Sequence, residues 1–142
     1  LQKLKKGIAE LVEEARKNIE EVTPEEAIEL SKRDDVVIVD VRDVRERGRG
    51  GYVPDSFHCP RGMVEFWVDP ESPYFKEVFD DDTGGSKRWL FHCAVDWRSA
   101  LTVNTLHDMG FKGAAHIKGG FNAWKDAGGP VEYKEGDKSR PD

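Results

Sequence analysis

The residues best suited to chemistry lie in one short run, Phe91-His92-Cys93-Ala94-Val95-Asp96-Trp97-Arg98-Ser99. Cys93 ends an apolar stretch that reads as a strand, and a helical pattern starts at about Arg98. Four residues separate the cysteine from the arginine. A loop this short must curl, so that successive backbone N–H groups converge with the free N–H groups of the helix start. Such a cradle binds anions. A cysteine inside it is biased toward thiolate, the nucleophilic form. Each hydrogen bond to a charged sulfur is worth roughly 1.5–3 kcal/mol. Asp96 opposes this, because a like charge at about 6 Å costs roughly 3 kcal/mol at an effective dielectric of 20. Asp96 is therefore expected to point out of the cradle.

Composition narrows the remaining chemistry. The 142 residues carry a net charge of −6, which opposes nucleic-acid binding and attraction to anionic lipid. No apolar run approaches the roughly 20 residues that cross a bilayer. No signal-peptide pattern is visible, although the chain starts at Leu1 and not Met, which leaves room for a removed leader. Two cysteines, Cys59 and Cys93, are too few for a disulfide framework. The expected setting is a reducing, cytoplasmic one. His58-Cys59 and His92-Cys93 are adjacent pairs whose side chains point to opposite faces of a strand, so neither closes on one ion, and no metal is expected. His107 and His116 read as surface or packed residues, and Cys59 as a core residue before a resolving thiol.

Residues 1–21 read as an amphipathic helix with Leu4, Ile8, Leu11, Ala15 and Ile19 on its apolar stripe, expected to be core. Thr23-Pro24-Glu25-Glu26 is a helix start with a capping box. Val36 to Val39 is a β-branched run of the kind buried on both faces of a parallel sheet. Residues 42–56 are polar and Gly-rich, and read as loop. Phe57 to Cys59, Trp89 to Cys93 and Ala114 to Ile117 are further strands. Gly62 to Trp67 is a helical turn, and a helix from about Arg98 to Met109 stops at Gly110. A last helix carries Phe121 and Trp124 on one face. The alternation predicts a three-layer α/β/α domain with a central, mostly parallel sheet. In such folds sites lie at the carboxyl ends of strands, where Cys93 falls.

Several ordered pieces add to this reading. They are Thr23 to Glu26, Val39-Asp40-Val41-Arg42, Gly51 to Ser56, Cys59-Pro60-Arg61-Gly62, Cys93 to Arg98 with Ser99-Ala100, Met109-Gly110-Phe111, and Gly119-Gly120-Phe121-Asn122-Ala123-Trp124. In their order and spacing, from about Thr23 to Glu132, they resemble the rhodanese family. The organisation expected is an N-terminal helix extension over 1–22, a rhodanese-like domain over 23–132, and a loose tail over 133–142.

The resemblance implies a sulfurtransferase that needs no cofactor. Cys93 takes sulfane sulfur from a small donor such as thiosulfate, becomes a persulfide, and yields the outer sulfur to cyanide or a thiol. Ala94, Val95, Asp96, Trp97 and Arg98 form the substrate-binding loop. Asp40, Arg42 and Arg61 support it, with bracing the expected role of Asp40 and Arg42. Thiosulfate-preferring members tend to carry basic residues where this loop has Asp96 and Trp97, so a protein or small-molecule persulfide is an alternative donor. Relatives of the fold that act as phosphatases or arsenate reductases carry one more residue between cysteine and arginine. A non-enzymatic module that carries or senses sulfur, or mediates protein interaction, is the other alternative. An exposed stripe on the first helix would favour it.

Overall fold

The computed structural model describes residues 1–134 and is organised by a five-stranded parallel sheet. Strands β1 (Glu21–Val22), β2 (Val36–Asp40), β3 (Phe57–His58), β4 (Arg88–His92) and β5 (Ala114–Ile117) lie in the order β1-β5-β4-β2-β3. Helices α1 (Ile8–Arg16), α2 (Pro24–Leu30), α3 (Val44–Gly50), α4 (Val64–Val68), α5 (Trp97–Met109) and α6 (Gly120–Asp126) connect and cover them.

Side chains alternate across the sheet and fill two cores. Val37, Val39, Trp89 and Phe91 face one, roofed by Val64 and Val68 of α4 and Val103 and Leu106 of α5. Val36, Ile38, Leu90, Ala115 and Ile117 face the other, under Ala27 of α2 and Phe121 and Trp124 of α6. Full burial of one such aliphatic or aromatic side chain is worth about 1.5–3 kcal/mol. The middle strand, β4, has both faces buried, and this fixes the loop that follows it. At the far end of α5, Gly110 adopts the left-handed conformation (φ 82°) and returns its N–H to the last turn. The predicted cap of α2 is present, with Thr23 and Glu26 satisfying each other's backbone N–H groups.

Three readings of the sequence need correction. Residues 42–56 are not all loop, because α3 occupies Val44–Gly50. Asp43 accepts from the Arg45 N–H and Glu46 from the Asp43 N–H, so a capping box starts the helix. No residue of α3 is buried, which is why no apolar stripe announced it. The helix read over 1–21 is confined to α1, and Glu21–Val22 forms the edge strand β1, too short to show alternation. The stripe assigned to the core is mostly outside it. Val12 and Ala15 are buried as α1 packs along α5, while Leu4, Ile8 and Leu11 are exposed. The turn expected at Gly62 to Trp67 is a 3-10 turn, Arg61–Met63, running into α4. Glu132 bridges to Tyr52, and residues 135–142 of the expected tail lie outside the described residues. Among the described residues no helix is long and apolar enough to cross a membrane.

Candidate active site

Cys93 follows the last residue of β4 and is 1% exposed. It lies two residues beyond Phe91 and points to the same core, beneath α5. The curl of the next residues has a local cause. The carbonyls of Cys93 and Ala94 accept hydrogen bonds from the N–H groups of Phe121 (2.8 Å) and Asn122 (3.1 Å), in the first turn of α6. That approach requires Gly120. A Cβ there would lie 2.1 Å from the Val95 carbonyl oxygen and 2.7 Å from that of Cys93, at a backbone φ of +63°. With the carbonyls engaged by α6, the N–H groups of Ala94 to Ser99 have no hydrogen-bond partner among the described residues. They are the donors an anion or a charged sulfur can use.

The loop is held at its rim by charge. Arg98 grips both carboxylate oxygens of Glu46 in α3, at 2.6 and 3.0 Å. The Glu46 carboxylate, with the Cys93 sulfur adding, raises the Arg98 guanidinium above its ordinary pKa, and Arg98 holds Glu46 below its own. The pair is partly exposed, so it fixes geometry more than it adds stability, about 1 kcal/mol or less. Asp96 does not face open solvent as a free charge. Its carboxylate accepts from the Gly119 N–H at 3.3 Å and ties the loop to the turn before α6. Val95 and Trp97 are exposed, at 51% and 45%, so the Trp97 ring does not pack closed over the loop.

Asp40 and Arg42 form a buried brace beside the loop. Asp40 ends β2, in register with His92. It accepts from the Arg42 backbone N–H (3.0 Å), the Arg42 guanidinium (2.9 Å) and Arg47 of α3 (3.0 Å). Burial alone would raise this carboxyl, but the hydrogen bonds and charge of Arg42 hold it well below the usual carboxylate range. Arg42 also donates to the Gly51 carbonyl (2.8 Å) and lies over the Phe121 ring at 4.2 Å. The brace thus joins β2, α3 and α6 around the cysteine loop. Arg61 is held elsewhere. Its partners are Glu65 of α4 (2.7 Å) and Thr105 in the middle of α5 (3.4 Å), not the loop residues. Cys59 is fully buried, and burial, with the Glu65 charge adding, pushes its thiol up to about 12. It is a core residue. Among the described residues no group of three or more His, Cys, Asp or Glu side chains could hold a metal ion.

Three residues that sequence reasoning did not place at the site reach it. Glu46 is one. The other two join Ser99 in a chain from the sulfur: Ser99 Oγ is 3.7 Å from Cys93 Sγ and 3.0 Å from His116 Nδ1, and His116 Nε2 is 2.7 Å from Glu21. His116 is neither a surface nor a merely packed histidine. Burial lowers its pKa, with Glu21 opposing. A signal existed, since His116 is the one polar residue inside the apolar strand Ala114 to Ile117.

Comparison with known proteins agrees with this geometry. The sequence profile of the Rhodanese-like domain matches residues 23–127. A solved structure from Rhodopseudomonas palustris, described as a protein of unknown function and possible tyrosine phosphatase, is 51% identical. It superposes with a TM-score of 0.86 over 93% of this chain and 98% of its own. The dual specificity phosphatase Cdc25 of Arabidopsis thaliana is 32% identical over 124 residues, 81% of this chain and 79% of that one. The thiosulfate sulfurtransferase GlpE of Actinobacillus pleuropneumoniae is 28% identical over 112 residues, 79% of this chain and 92% of that one. The cysteine loop at the end of the middle parallel strand and the matched span together place the chain in the rhodanese-like domain family.

Proposed function

We propose that this protein is a sulfurtransferase that carries sulfane sulfur on Cys93. The observation that carries the reading is the placement of the thiol. It sits at the carboxyl end of the middle strand, below a loop whose N–H groups, from Ala94 to Ser99, are left for an anion. The Cys93 thiolate attacks the sulfane sulfur of the donor. A new S–S bond forms, the donor's S–S bond breaks, and the leaving group, sulfite in the case of thiosulfate, departs with the electron pair. The persulfide's terminal sulfur then passes to cyanide or a thiolate, and Cys93 regains its thiolate. The loop donors stabilise negative charge on either sulfur. A small or protein-borne persulfide fits the half-acidic loop as well as thiosulfate does, and a reducing cytoplasmic setting suits both. Intact mass spectrometry after thiosulfate or a low-molecular-weight persulfide is the test. A gain of about one sulfur atom on Cys93, removed by cyanide, supports covalent transfer. No gain with either donor refutes it.

Two other readings have an observation each. A phosphomonoesterase draws on the names of two relatives. The four-residue spacing and the carboxylate of Asp96 in the loop weigh against a tetrahedral dianion, and hydrolysis of p-nitrophenyl phosphate lost in Cys93→Ser would favour it. A sulfur-carrying regulatory module draws on the exposed Leu4, Ile8 and Leu11 of the N-terminal segment. Stoichiometric sulfur uptake without turnover would favour that one.

A further inference from the structure

The sheet register sets His116 in a row with Glu21 and Phe91, on the face that carries Cys93. A buried hydrogen-bonded chain results: Cys93 Sγ, Ser99 Oγ at 3.7 Å, His116 Nδ1 at 3.0 Å from that hydroxyl, and from Nε2 Glu21 at 2.7 Å. Arg16 of α1 closes it, 3.2 Å from the Glu21 carboxylate. Cys93, Ser99 and His116 are each at most 1% exposed, whereas Glu21 is half-buried at the rim.

The donor and acceptor roles follow from chemistry. Glu21 is held below the usual carboxylate range, because the hydrogen bonds from His116 and Arg16 outweigh its burial. An ionised carboxylate only accepts, so His116 Nε2 carries a proton. Burial disfavours a second proton on the ring, which leaves Nδ1 as a bare acceptor. The Ser99 hydroxyl therefore donates to Nδ1 and turns its lone pairs toward the Cys93 S–H. Its other acceptor within reach, the Asp96 carbonyl, is farther away at 3.3 Å.

We infer that His116 is the proton acceptor for Cys93, acting through the Ser99 hydroxyl and set in place by Glu21 and Arg16. The S–H proton passes to Ser99 Oγ as the Ser99 proton passes to His116 Nδ1. The products are a thiolate that accepts the reversed Ser99 O–H, and an imidazolium between Ser99 and Glu21. Charge is conserved, and no outside base is needed. The groups facing the imidazole are Glu21 from β1, Arg16 from α1, Asp96 from the loop and Ser99 from α5. Burial, the largest influence, and Arg16 oppose the imidazolium, while Glu21 and Asp96 favour it. His116 is a positioning residue, since it reaches the sulfur only through another side chain. The inference rests on Cys93 reacting as a nucleophile, which the sulfurtransferase reading requires.

The experiment is iodoacetamide alkylation of Cys93 against pH, assigned by peptide mass spectrometry so that Cys59 does not contribute. His116→Gln and Ser99→Ala each move the midpoint upward by about one pH unit, so that alkylation on the acid limb slows about tenfold while the alkaline plateau is kept. Glu21→Gln moves it the same way by less. A folded His116→Gln or Ser99→Ala protein with the wild-type midpoint overturns the inference. Because a buried histidine substitution can fail to fold, nitrogen-15 spectra of the unsubstituted protein provide a second reading. A protonated Nε2 and bare Nδ1 at neutral pH support the relay, and the opposite tautomer refutes it. No sulfur donor enters either measurement. Shifted midpoints in a protein that takes up no sulfur would support the relay and defeat the transfer reading alone.

Discussion

Replacing Gly120 by alanine tests the reason given for the shape of the cysteine loop. Two costs arise. A residue with a Cβ in the left-handed region loses about 1–2 kcal/mol. The new Cβ also meets the Val95 carbonyl oxygen at 2.1 Å and the Cys93 carbonyl oxygen at 2.7 Å, both backbone atoms that cannot swing away. Relief requires α6 and the loop to part, which breaks the bonds from Phe121 and Asn122 to the Cys93 and Ala94 carbonyls. Each is worth about 0.5–1.5 kcal/mol net. Gly110→Ala is the matched control. Gly110 has the same sign of φ, at +82°, but no atom lies within 4 Å of its would-be Cβ. It loses only the conformational part. Urea unfolding should therefore place Gly110→Ala about 1–2 kcal/mol and Gly120→Ala about 2–5 kcal/mol below the wild type. Sulfur transfer should survive in the first and fall steeply in the second, because only the second displaces the backbone of Cys93. If the two variants lost equal stability and kept equal turnover, the close approach of α6 would not shape the loop.

Three further outcomes follow from the same geometry. Cys93→Ser abolishes sulfur uptake in mass spectra with an unchanged circular dichroism spectrum, and retained uptake would move the chemistry to another residue. Glu46→Gln removes the charge that grips Arg98; stability drops by about 1 kcal/mol or less, while kcat/KM falls as the loop rim loosens, and unaltered kinetics would reduce that pair to surface decoration. Asp40→Asn leaves the Arg42 guanidinium buried without its countercharge and lowers unfolding free energy by about 3–5 kcal/mol. The depressed carboxyl of Asp40 also sets a pH dependence in the wild type. Its stabilising contribution is complete above the unfolded carboxyl value of about 4 and is lost as pH falls below that. A wild-type acid limb identical to that of Asp40→Asn would contradict the assignment.

What the sequence discloses divides along physical lines. β2 and β4 are legible because both faces of each strand are buried, and a run such as Val36 to Val39 or Trp89 to Phe91 has no polar interruption. Gly110 is legible because one residue type suits one backbone conformation. α3 is hidden by the opposite circumstance: it buries nothing, so only its capping box, Asp43 with Glu46, marks it. The exposed Leu4, Ile8 and Leu11 mislead for a related reason. Spacing shows which residues share a helix face, not whether another element arrives to cover it, and α1 meets α5 through Val12 and Ala15 instead. Within the site, Cys93 and Arg98 are visible as a local motif. Glu46 and Glu21 are not, since they lie 52 positions from Arg98 and 95 from His116 in the chain. Only the parallel register of β1 on β5, and of β2 on β4, brings them in. A local motif can therefore indicate where a nucleophile stands. The groups proposed to set the charge and the proton of Cys93 are distributed over β1, α3, α5 and β5, and their meeting is a property of the folded sheet.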